Sequence, residues 1–300
     1  MKKIIALGMV LLMGMAGAVA KDESARRYGF RQDTLKKLPK KVDVFQVIPH
    51  LSANDRFKSE LVVRNNSTSP ITITFDFYGE DGFAAEVIFS DSDGSNWQEQ
   101  GFIATIQGLE VFSMFFDRVF DLNSFHIYAF ADETESNYTL EAFYHLLDGN
   151  DKLATVGVPA ADPGTNPVMN LDNTIDIDSG LRRFRGVAVT NFLDTNCVCD
   201  VWVYDDGANG ANAAEGPFNI GTIQIPPSGK WLGTTYDLIP DINFYLPRGF
   251  GFVELNCDNP VSMLGLTFED GSPIIGSVPV TYGTLNPFNL TKRKKPDIPK

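Results

Sequence analysis

Hydrophobic and polar residues alternate with a period of two along most of this chain. The alternation is clear at Glu60-Leu61-Val62-Val63 and again over residues 197–204, and it is typical of strands that bury one face. Turn-forming residues separate such segments, as at residues 65–70 and 258–260. About seven to eight strands in each hundred-odd residues, with almost no helical periodicity, predict an all-β protein built from antiparallel β-sandwiches.

The chain contains an internal repeat. Residues 61–65 align with 187–191, and residues 71–78 align with 197–204, both at a constant offset of 126. Later landmarks keep their order at smaller offsets, namely Ile106 with Ile225, Phe130 with Phe252, and Val158 with Val278. Two copies of one domain that differ slightly in loop length would give this pattern.

The repeat predicts the domain organisation. We expect a first sandwich over residues 43–160 and a second over residues 181–282. Between them, residues 161–180 are rich in turn formers and acids, which is typical of a linker.

Several turn and core segments resemble those of an uncharacterised family of secreted bacterial immunoglobulin-like modules, over roughly residues 43–282. The segments are Ile48-Pro49-His50-Leu51, residues 59–65, Asp81-Gly82, Ile225-Pro226-Pro227-Ser228-Gly229, Gly251-Phe252-Val253-Glu254, Asn259-Pro260-Val261 and Phe268-Glu269-Asp270-Gly271. The first copy departs from the pattern, because Gln107-Gly108 stands where the second copy has Pro-Pro. The resemblance implies two tandem immunoglobulin-like sandwiches in an envelope or surface protein without known catalytic residues.

The first twenty residues have the composition of a secretory signal peptide. Lys2 and Lys3 give a positive start, residues 4–15 are apolar, and Ala18-Val19-Ala20 offers a small-residue cleavage site. The apolar run is shorter than the roughly 20 residues that span a bilayer. We therefore expect cleavage after Ala20, export by the secretory pathway, and a mature protein in the periplasm or at the cell surface, with no membrane span.

Charge is distributed unevenly along the chain. Residues 21–42 have eight Lys and Arg against three acids, and residues 283–300 have five against one, whereas residues 43–282 have ten against thirty-four. The acidic body makes nucleic acid an unexpected partner. The basic N-terminal arm and C-terminal tail are expected to be solvated, or alternatively to contact anionic envelope surfaces or another copy of the chain.

Three cysteines in an exported protein predict one disulfide and one remaining thiol. In immunoglobulin-like topology the strand that begins at Cys197 and the strand that ends at Cys257 are neighbours. Cys197 and Cys199 share one face of their strand, so they cannot readily pair with each other. We predict a Cys197–Cys257 disulfide with Cys199 buried and free; Cys199–Cys257 is the alternative.

The sequence contains no recognisable catalytic motif. It lacks a Gly-x-Ser-x-Gly elbow, a phosphate-binding glycine loop and a dinucleotide fingerprint. His50, His126 and His145 lack the spacing of ligands or of a triad, and the cysteine spacing is not that of a zinc motif. We expect structural histidines, no cofactor, no metal site and no enzyme activity.

Acidic residues gather at turns, which raises calcium binding as an alternative to solvated turns. The carboxylates concerned are Asp91, Asp93, Asp132, Glu133, Glu135, Asp172, Asp176, Asp178, Asp205 and Asp206. Ser90-Asp91-Ser92-Asp93-Gly94 lacks the first and last ligand positions of a helix-loop-helix calcium site. Solvated acidic turns are therefore the prediction.

A candidate ligand-binding surface lies on the strand that contains the two neighbouring cysteines. Alternation points Asp200, Trp202 and Tyr204 outward. An exposed Trp-Tyr pair beside a carboxylate can stack on a sugar or peptide and hydrogen-bond to it. The alternative is that this surface packs against the first domain or a partner subunit.

Together these features predict a non-enzymatic exported structural or interaction protein of the bacterial envelope or cell surface. Its expected partners are an envelope or surface protein or further copies of itself. The alternative is a glycan- or peptide-binding module that uses Asp200, Trp202 and Tyr204.

Overall fold

The structure is a computed structural model that describes residues 45–120, 122, 124–131, 137–149, 151–161, 163–205, 217–270 and 272–282. The expected signal peptide (1–20), basic arm (21–42) and basic tail (283–300) lie outside the described residues. Among the residues it describes, no helix is long and apolar enough to cross a membrane.

The first ten strands form two antiparallel sheets, which we call the N-terminal sheet pair. Sheet 1 has the order β1-β8-β3-β6, and sheet 2 the order β10-β9-β2-β7-β4-β5. The strands are β1 Phe45–Ser52, β2 Phe57–Asn65, β3 Ile71–Tyr78, β4 Val87–Asp91, β5 Asn96–Glu99, β6 Gly101–Ile106, β7 Val111–Val119, β8 Ser124–Ala131, β9 Tyr138–Asp148 and β10 Asp151–Pro159.

The remaining strands form the C-terminal sheet pair, also antiparallel. Sheet 3 has the order β14-β13-β16-β11-β19, and sheet 4 the order β15-β12-β17-β18. Its elements are β11 Pro167–Asp172, β12 Arg183–Asn191, β13 Cys197–Asp205, β14 Phe218–Ile225, β15 Lys230–Thr234, the short helices α1 Thr235–Leu238 and α2 Ile242–Tyr245, β16 Phe250–Cys257, β17 Val261–Glu269, β18 Ser272–Val278 and β19 Val280–Tyr282.

Each pair of sheets encloses a hydrophobic core, but the two cores differ in composition. Phe77 of sheet 1 contacts Phe116 of sheet 2 edge-on, with ring centroids 5.8 Å apart. In the C-terminal pair, the buried residues between the sheets are aliphatic, methionine and cysteine side chains, such as Met169, Val189 and Leu255. The predicted all-β class with antiparallel sandwich packing is confirmed.

The stretch predicted as a linker contains a strand. β11 lies inside residues 161–180 and pairs with both β16 and β19. Val168, Met169 and Leu171 are buried there, so burial of apolar side chains outweighs the turn formers that flank them. The linker prediction is wrong for residues 167–172.

The strand order of the first pair recurs in the second. Sheet 1, β1-β8-β3-β6, corresponds to β11-β16-β13-β14 of sheet 3, and β10-β9-β2-β7 of sheet 2 corresponds to β18-β17-β12-β15 of sheet 4. Ladder register supports two of the aligned landmarks: Ile71 pairs with Ile106 as Cys197 pairs with Ile225.

One aligned landmark is wrong. Thr74 pairs with Phe130, whereas its equivalent Asp200 pairs with Asn256. Phe130 therefore corresponds to Asn256, and Phe252 corresponds to His126. The sequence alignment paired two phenylalanines, Phe130 and Phe252, but the hydrogen-bonded register decides which positions of the two sheet pairs are equivalent.

Equivalent four-residue turns follow the equivalent strands β6 and β14. Turn 1 comprises residues 107–110 and turn 2 comprises residues 226–229. Leu109 N–H donates to Ser67 O at 2.9 Å, and Ser228 N–H donates to Leu193 O at 2.8 Å. The third residue of each turn has a positive φ, 64° at Leu109 and 49° at Ser228, which is uncommon for residues other than glycine.

A buried asparagine secures each turn. The Asn65 side-chain amide donates to the carbonyls of Ser69, Ile106 and Gln107 at 2.8, 3.1 and 3.0 Å. The equivalent Asn191 amide donates to Thr195 O at 2.7 Å and Pro226 O at 3.1 Å. One buried side chain thus links the start of each turn to the loop that follows β2 or β12.

Sheet 4 is buried on both faces. Val189 and Met263 face the core of the C-terminal pair, while Ala188, Leu264 and Leu266 belong to the hydrophobic cluster of the N-terminal pair. β17 is accordingly buried along most of its length instead of alternating, as expected for a strand covered on two sides. Sheet 4 thus joins the two pairs.

Replacing either asparagine should destabilise the protein. Asn65→Ala and Asn191→Ala each remove two or more side-chain hydrogen bonds that hold the turn, at a cost of about 1–3 kcal/mol. Chemical denaturation followed by circular dichroism measures this, with the exposed Thr68→Ala as the control. Equal midpoints for all three variants would contradict the role of the asparagines.

Candidate functional site

Turn 2 of the C-terminal pair lies directly on the segment that follows β3. The Lys230 backbone N–H donates to Glu80 O at 3.0 Å. Gly82 has φ +77°, and a Cβ there would lie 1.9 Å from Pro227 O. A Cβ at Gly229 would lie 2.7 Å from Glu80 O. The two backbones therefore approach more closely than side chains would permit; we call this contact and its surroundings the junction.

Side chains also connect the two pairs across the junction. Tyr128 stacks at an angle on Phe192, with centroids 5.7 Å apart. Besides the bonds of Lys230, hydrogen bonds cross it from Thr190 Oγ1 to Pro49 O (2.9 Å), from Tyr128 Oη to Asn191 O (2.9 Å), and between His126 Nε2 and Ser228 O (3.1 Å). Side chains of each pair thus contact backbone carbonyls of the other.

Lys230 is the buried charge of the junction, with only 4% of its surface exposed. Its Nζ donates to Phe125 O at 3.1 Å and lies 3.2 Å from His50 Nδ1. Burial lowers the pKa of Lys230 to about 7, and the Glu80 carboxylate opposes that shift in part. The Glu80 carboxylate itself accepts a hydrogen bond from Ser124 Oγ at 2.5 Å.

Both histidines of the junction are held neutral. Burial, followed by the nearby Lys230, lowers the pKa of His50 and of His126 well below the usual value. A neutral His50 can accept from Lys230 through Nδ1. The Tyr144 hydroxyl donates to the His50 carbonyl, and the Tyr144 ring stacks on the imidazole with centroids 6.0 Å apart.

The junction is suited to fixing geometry and responding to protons. His126 is fully buried and Lys230 nearly so, and both direct their nitrogen atoms at backbone carbonyls of the protein itself. A perturbed amine and two imidazoles are groups that active sites use, but here they are enclosed by the two sheet pairs. His126 lies within β8, where its neighbours in the strand are buried as well.

The predicted ligand-binding residues share the outer face of sheet 3, but they do not form an exposed pair. Asp200 and Trp202 are partly exposed. Tyr204 is only 8% exposed, and its hydroxyl donates to the Glu254 carboxylate at 2.7 Å. The prediction that Tyr204 is an exposed ligand-binding residue is wrong. Neighbouring side chains cover its ring, and its hydroxyl has a partner within the sheet.

The disulfide joins Cys199 to Cys257, so the predicted Cys197–Cys257 pairing is wrong and the alternative is correct. Cys199 lies directly opposite Cys257 in the β13–β16 ladder, whereas Cys197 pairs with Ile225 of β14 on the other side. Cys197 is the buried free thiol, 3.7 Å from Cys199 Sγ. Burial raises the pKa of Cys197 to about 11.

Three of the acidic turn residues, Asp91, Asp172 and Asp176, bind groups of the protein itself. Asp176 pairs with Arg183, and the Asp172 carboxylate lies 3.8 Å from Arg183 and 3.7 Å from Arg185. Asp91 accepts from Trp97 Nε1 at 2.8 Å. Residues 132–136 and 206–216 lie outside the described part of the chain.

His145 of β9 lies on the outer face of sheet 2, where its side chain contacts residues of neighbouring strands. Its Nδ1 is 2.9 Å from Thr155 Oγ1, and its Nε2 is 3.5 Å from Glu60 Oε2. Its ring stacks on Phe115 with centroids 5.9 Å apart. Burial lowers the pKa of His145, with Lys152 adding to the effect. These cross-strand contacts agree with the predicted structural role.

Lys230 is the functional residue that sequence reasoning missed. Its equivalent in the first copy, by ladder register, is Val111: Lys230 pairs with Thr190, and Val111 pairs with Arg64. A lysine at a position where the other copy has valine is the signal that could have identified it, since lysine is rarely fully buried without a partner.

Substituting Gly82 should loosen the junction. Gly82→Ala brings a Cβ against Pro227 O and imposes a positive φ, whereas Gly94→Ala imposes only the φ cost, because a Cβ at Gly94 (φ +80°) has nothing within 4 Å. We expect about 1 kcal/mol for Gly94→Ala and at least twice that for Gly82→Ala, measured by denaturant unfolding. Equal losses would show that the close approach does not stabilise the fold.

Lys230 should make stability depend on pH. Unfolding restores its ordinary pKa, so between about pH 7 and 10 the unfolded chain binds more protons at this residue, and the contribution of Lys230 makes stability rise by about 1 kcal/mol per pH unit. The raised pKa of the Cys197 thiol opposes this rise above about pH 9. Below about pH 6.5, protonation of unfolded His50 and His126 lowers stability further. The groups that face Lys230 are Glu80, His50, His126 and, through His50, Tyr144.

The test compares unfolding free energies from pH 7 to 10. Lys230→Met should remove the slope attributed to Lys230, while the exposed Lys152→Met should keep it. A Lys230→Met slope that matches the wild type would contradict the buried, neutralised lysine. The slope remains informative even if Lys230→Met lowers stability at every pH.

Comparisons with known proteins return no relative for this arrangement. No protein-family model matches the chain, and no curated protein or solved structure matches it.

Proposed function

We propose that the protein is a non-enzymatic exported structural or interaction protein of the bacterial envelope or cell surface, built from two tandem immunoglobulin-like sandwiches. The observation on which the proposal rests is the junction. Turn 2 is fixed on the N-terminal pair by backbone contact, and the perturbed side chains Lys230, His50 and His126 point at the protein's own carbonyls and at one another. Such an arrangement holds two surfaces in one fixed relation.

Sheet 4 supports the same proposal. Its apolar side chains face both cores, so that relative movement of the pairs would expose Leu264, Leu266 and Phe268, which are at most 8% exposed. Interfaces that are apolar and well packed restrict domain motion. A fixed pair of sandwiches presents its outer faces and turns at constant spacing, which suits a scaffold.

Export is supported by the N-terminal sequence and by the disulfide. Cys199 and Cys257 are joined, and disulfides persist in oxidising compartments such as the periplasm. The basic ends at residues 21–42 and 283–300 supply candidate contacts with anionic envelope surfaces.

Fractionation and cross-linking of cells test the proposal. A C-terminally tagged full-length chain should appear in the periplasmic or surface fraction with Cys199 and Cys257 protected from alkylation. The matched control lacks residues 2–20, and it should stay in the cytoplasm with both thiols reactive after denaturation. Short-arm amine cross-linking should capture the exported chain in complexes with an envelope protein or with itself.

Two results would overturn the proposal. Full-length chain found in the cytoplasm with reduced cysteines would remove export. An exported chain that migrates alone after cross-linking at native abundance would remove the interaction role.

A further inference from the structure

The junction provides a template for a second contact, because the chain contains a second copy of the docking turn and of the sheet face beneath it. Residues 206–208, the counterparts of residues 80–82, lie outside the described residues. In the junction, turn 2 lies over the outer face of sheet 1. By register, turn 1 corresponds to turn 2, and the outer face of sheet 3 corresponds to that of sheet 1. Turn 1 and the outer face of sheet 3 are therefore the repeat copies of two surfaces already seen to bind each other.

Turn 1 has the backbone of a docking turn but projects apolar side chains into solvent. Leu109 is 66% exposed and Val111 is 58% exposed. Their equivalents in turn 2 and at the start of β15, Ser228 and Lys230, are 1% and 4% exposed because the junction covers them. The positive φ of Leu109 holds its side chain in this exposed position at a conformational cost.

The outer face of sheet 3 likewise has apolar side chains where the outer face of sheet 1 has polar ones. Ser124 and His126 of β8 lie in the junction, and Phe250 and Phe252 of β16 take their positions. Asp76 of β3 corresponds to Trp202 of β13. Phe250 is 45% exposed, and Trp202 and Phe252 are partly exposed. We call Trp202, Phe250 and Phe252 the receptor face.

Both halves of the second contact thus differ from the junction in the same way. In the junction, the Ser228 carbonyl contacts His126, and Lys230 hydrogen-bonds to Glu80, Phe125 and His50. Leu109 and Val111 would meet aromatic rings instead. Polar side chains of the junction are thus replaced on both sides by apolar ones, at Leu109 and Val111 in and beside turn 1 and at Trp202, Phe250 and Phe252 on sheet 3. Changing one side alone would bury unpaired polar groups.

We propose that turn 1 of one copy of the chain docks on the receptor face of a second copy, in the same manner in which turn 2 docks on sheet 1. The inference deepens the proposed structural role by naming the partner. Because the two surfaces are different, the contact is heterologous, and its repetition generates open chains of molecules in place of closed dimers. Along such a chain of molecules, the C-terminal sheet pair of one copy contacts the N-terminal sheet pair of the next. The two kinds of sheet pair therefore alternate along the assembly, as they do within one molecule.

Sedimentation velocity over a range of protein concentrations tests the proposal. The wild-type protein should form dimers and longer species as concentration rises. Leu109→Asp places a charge in turn 1, and Phe250→Asp places a charge in the receptor face. Each variant alone should therefore weaken association at least tenfold. Ile177→Asp is the matched control, because Ile177 is 98% exposed and lies in neither surface; it should associate like the wild type.

Mixing the two variants gives the sharpest outcome. Leu109→Asp keeps an intact receptor face and Phe250→Asp keeps an intact turn 1, so an equimolar mixture should form dimers that cannot extend. Wild-type protein that stays monomeric up to about 100 μM, the weak end of specific association, would overturn the inference, as would a mixture that stays monomeric. Circular dichroism and unfolding midpoints establish that each variant is folded.

The result is separable from that of the proposed function. A monomeric protein that cross-links to a different envelope protein in cells would refute copy-to-copy docking and leave the structural or interaction role standing.

Discussion

The close approach of turn 2 to the Glu80–Gly82 segment is the constraint that organises the molecule. A backbone carbonyl at Pro227 occupies the space that a Cβ of residue 82 would need. This contact sets the distance between the sheet pairs, and at that distance sheet 4 is covered on its second face. The burial of Leu264 and Leu266 and the enclosure of Lys230 follow from the same spacing.

Enclosing Lys230 is costly, and the junction limits that cost in two ways. Backbone and imidazole acceptors at Phe125 and His50 satisfy its donors, and the lowered pKa lets the amine lose its charge near neutrality. A buried polar group that is fully paired rigidifies and specifies one arrangement, whereas an unpaired one destabilises any arrangement. The lysine therefore favours this single docking of the two pairs over other apolar contacts that sheet 4 could make.

Much of the fold could be predicted from the sequence, because period-two alternation and a constant offset are local signals. The offset of 126 holds for β2 with β12 and for β3 with β13. The ladders show that it also holds for β8 with β16, where the match of Phe130 with Phe252 was wrong, because register depends on pairing with another strand. The disulfide partner failed for the same reason, since Cys197 and Cys199 share a face and only the ladder decides which lies opposite Cys257. The junction was not predictable, because residues far apart in sequence meet there and Lys230 stands alone in its segment.

The disulfide lies in the sheet pair that has the smaller core side chains. Cys199 and Cys257 occupy the places of Ile73 and Ala131, and Phe75, Phe77 and Phe125 correspond to Val201, Val203 and Gly251. The C-terminal core has thus exchanged large aromatic contacts for smaller side chains, which bury less apolar surface. A disulfide that closes a loop of 58 residues contributes stability of about 2–4 kcal/mol. It offsets the smaller core in the half of the molecule whose sheet 4 must remain intact for the junction to form.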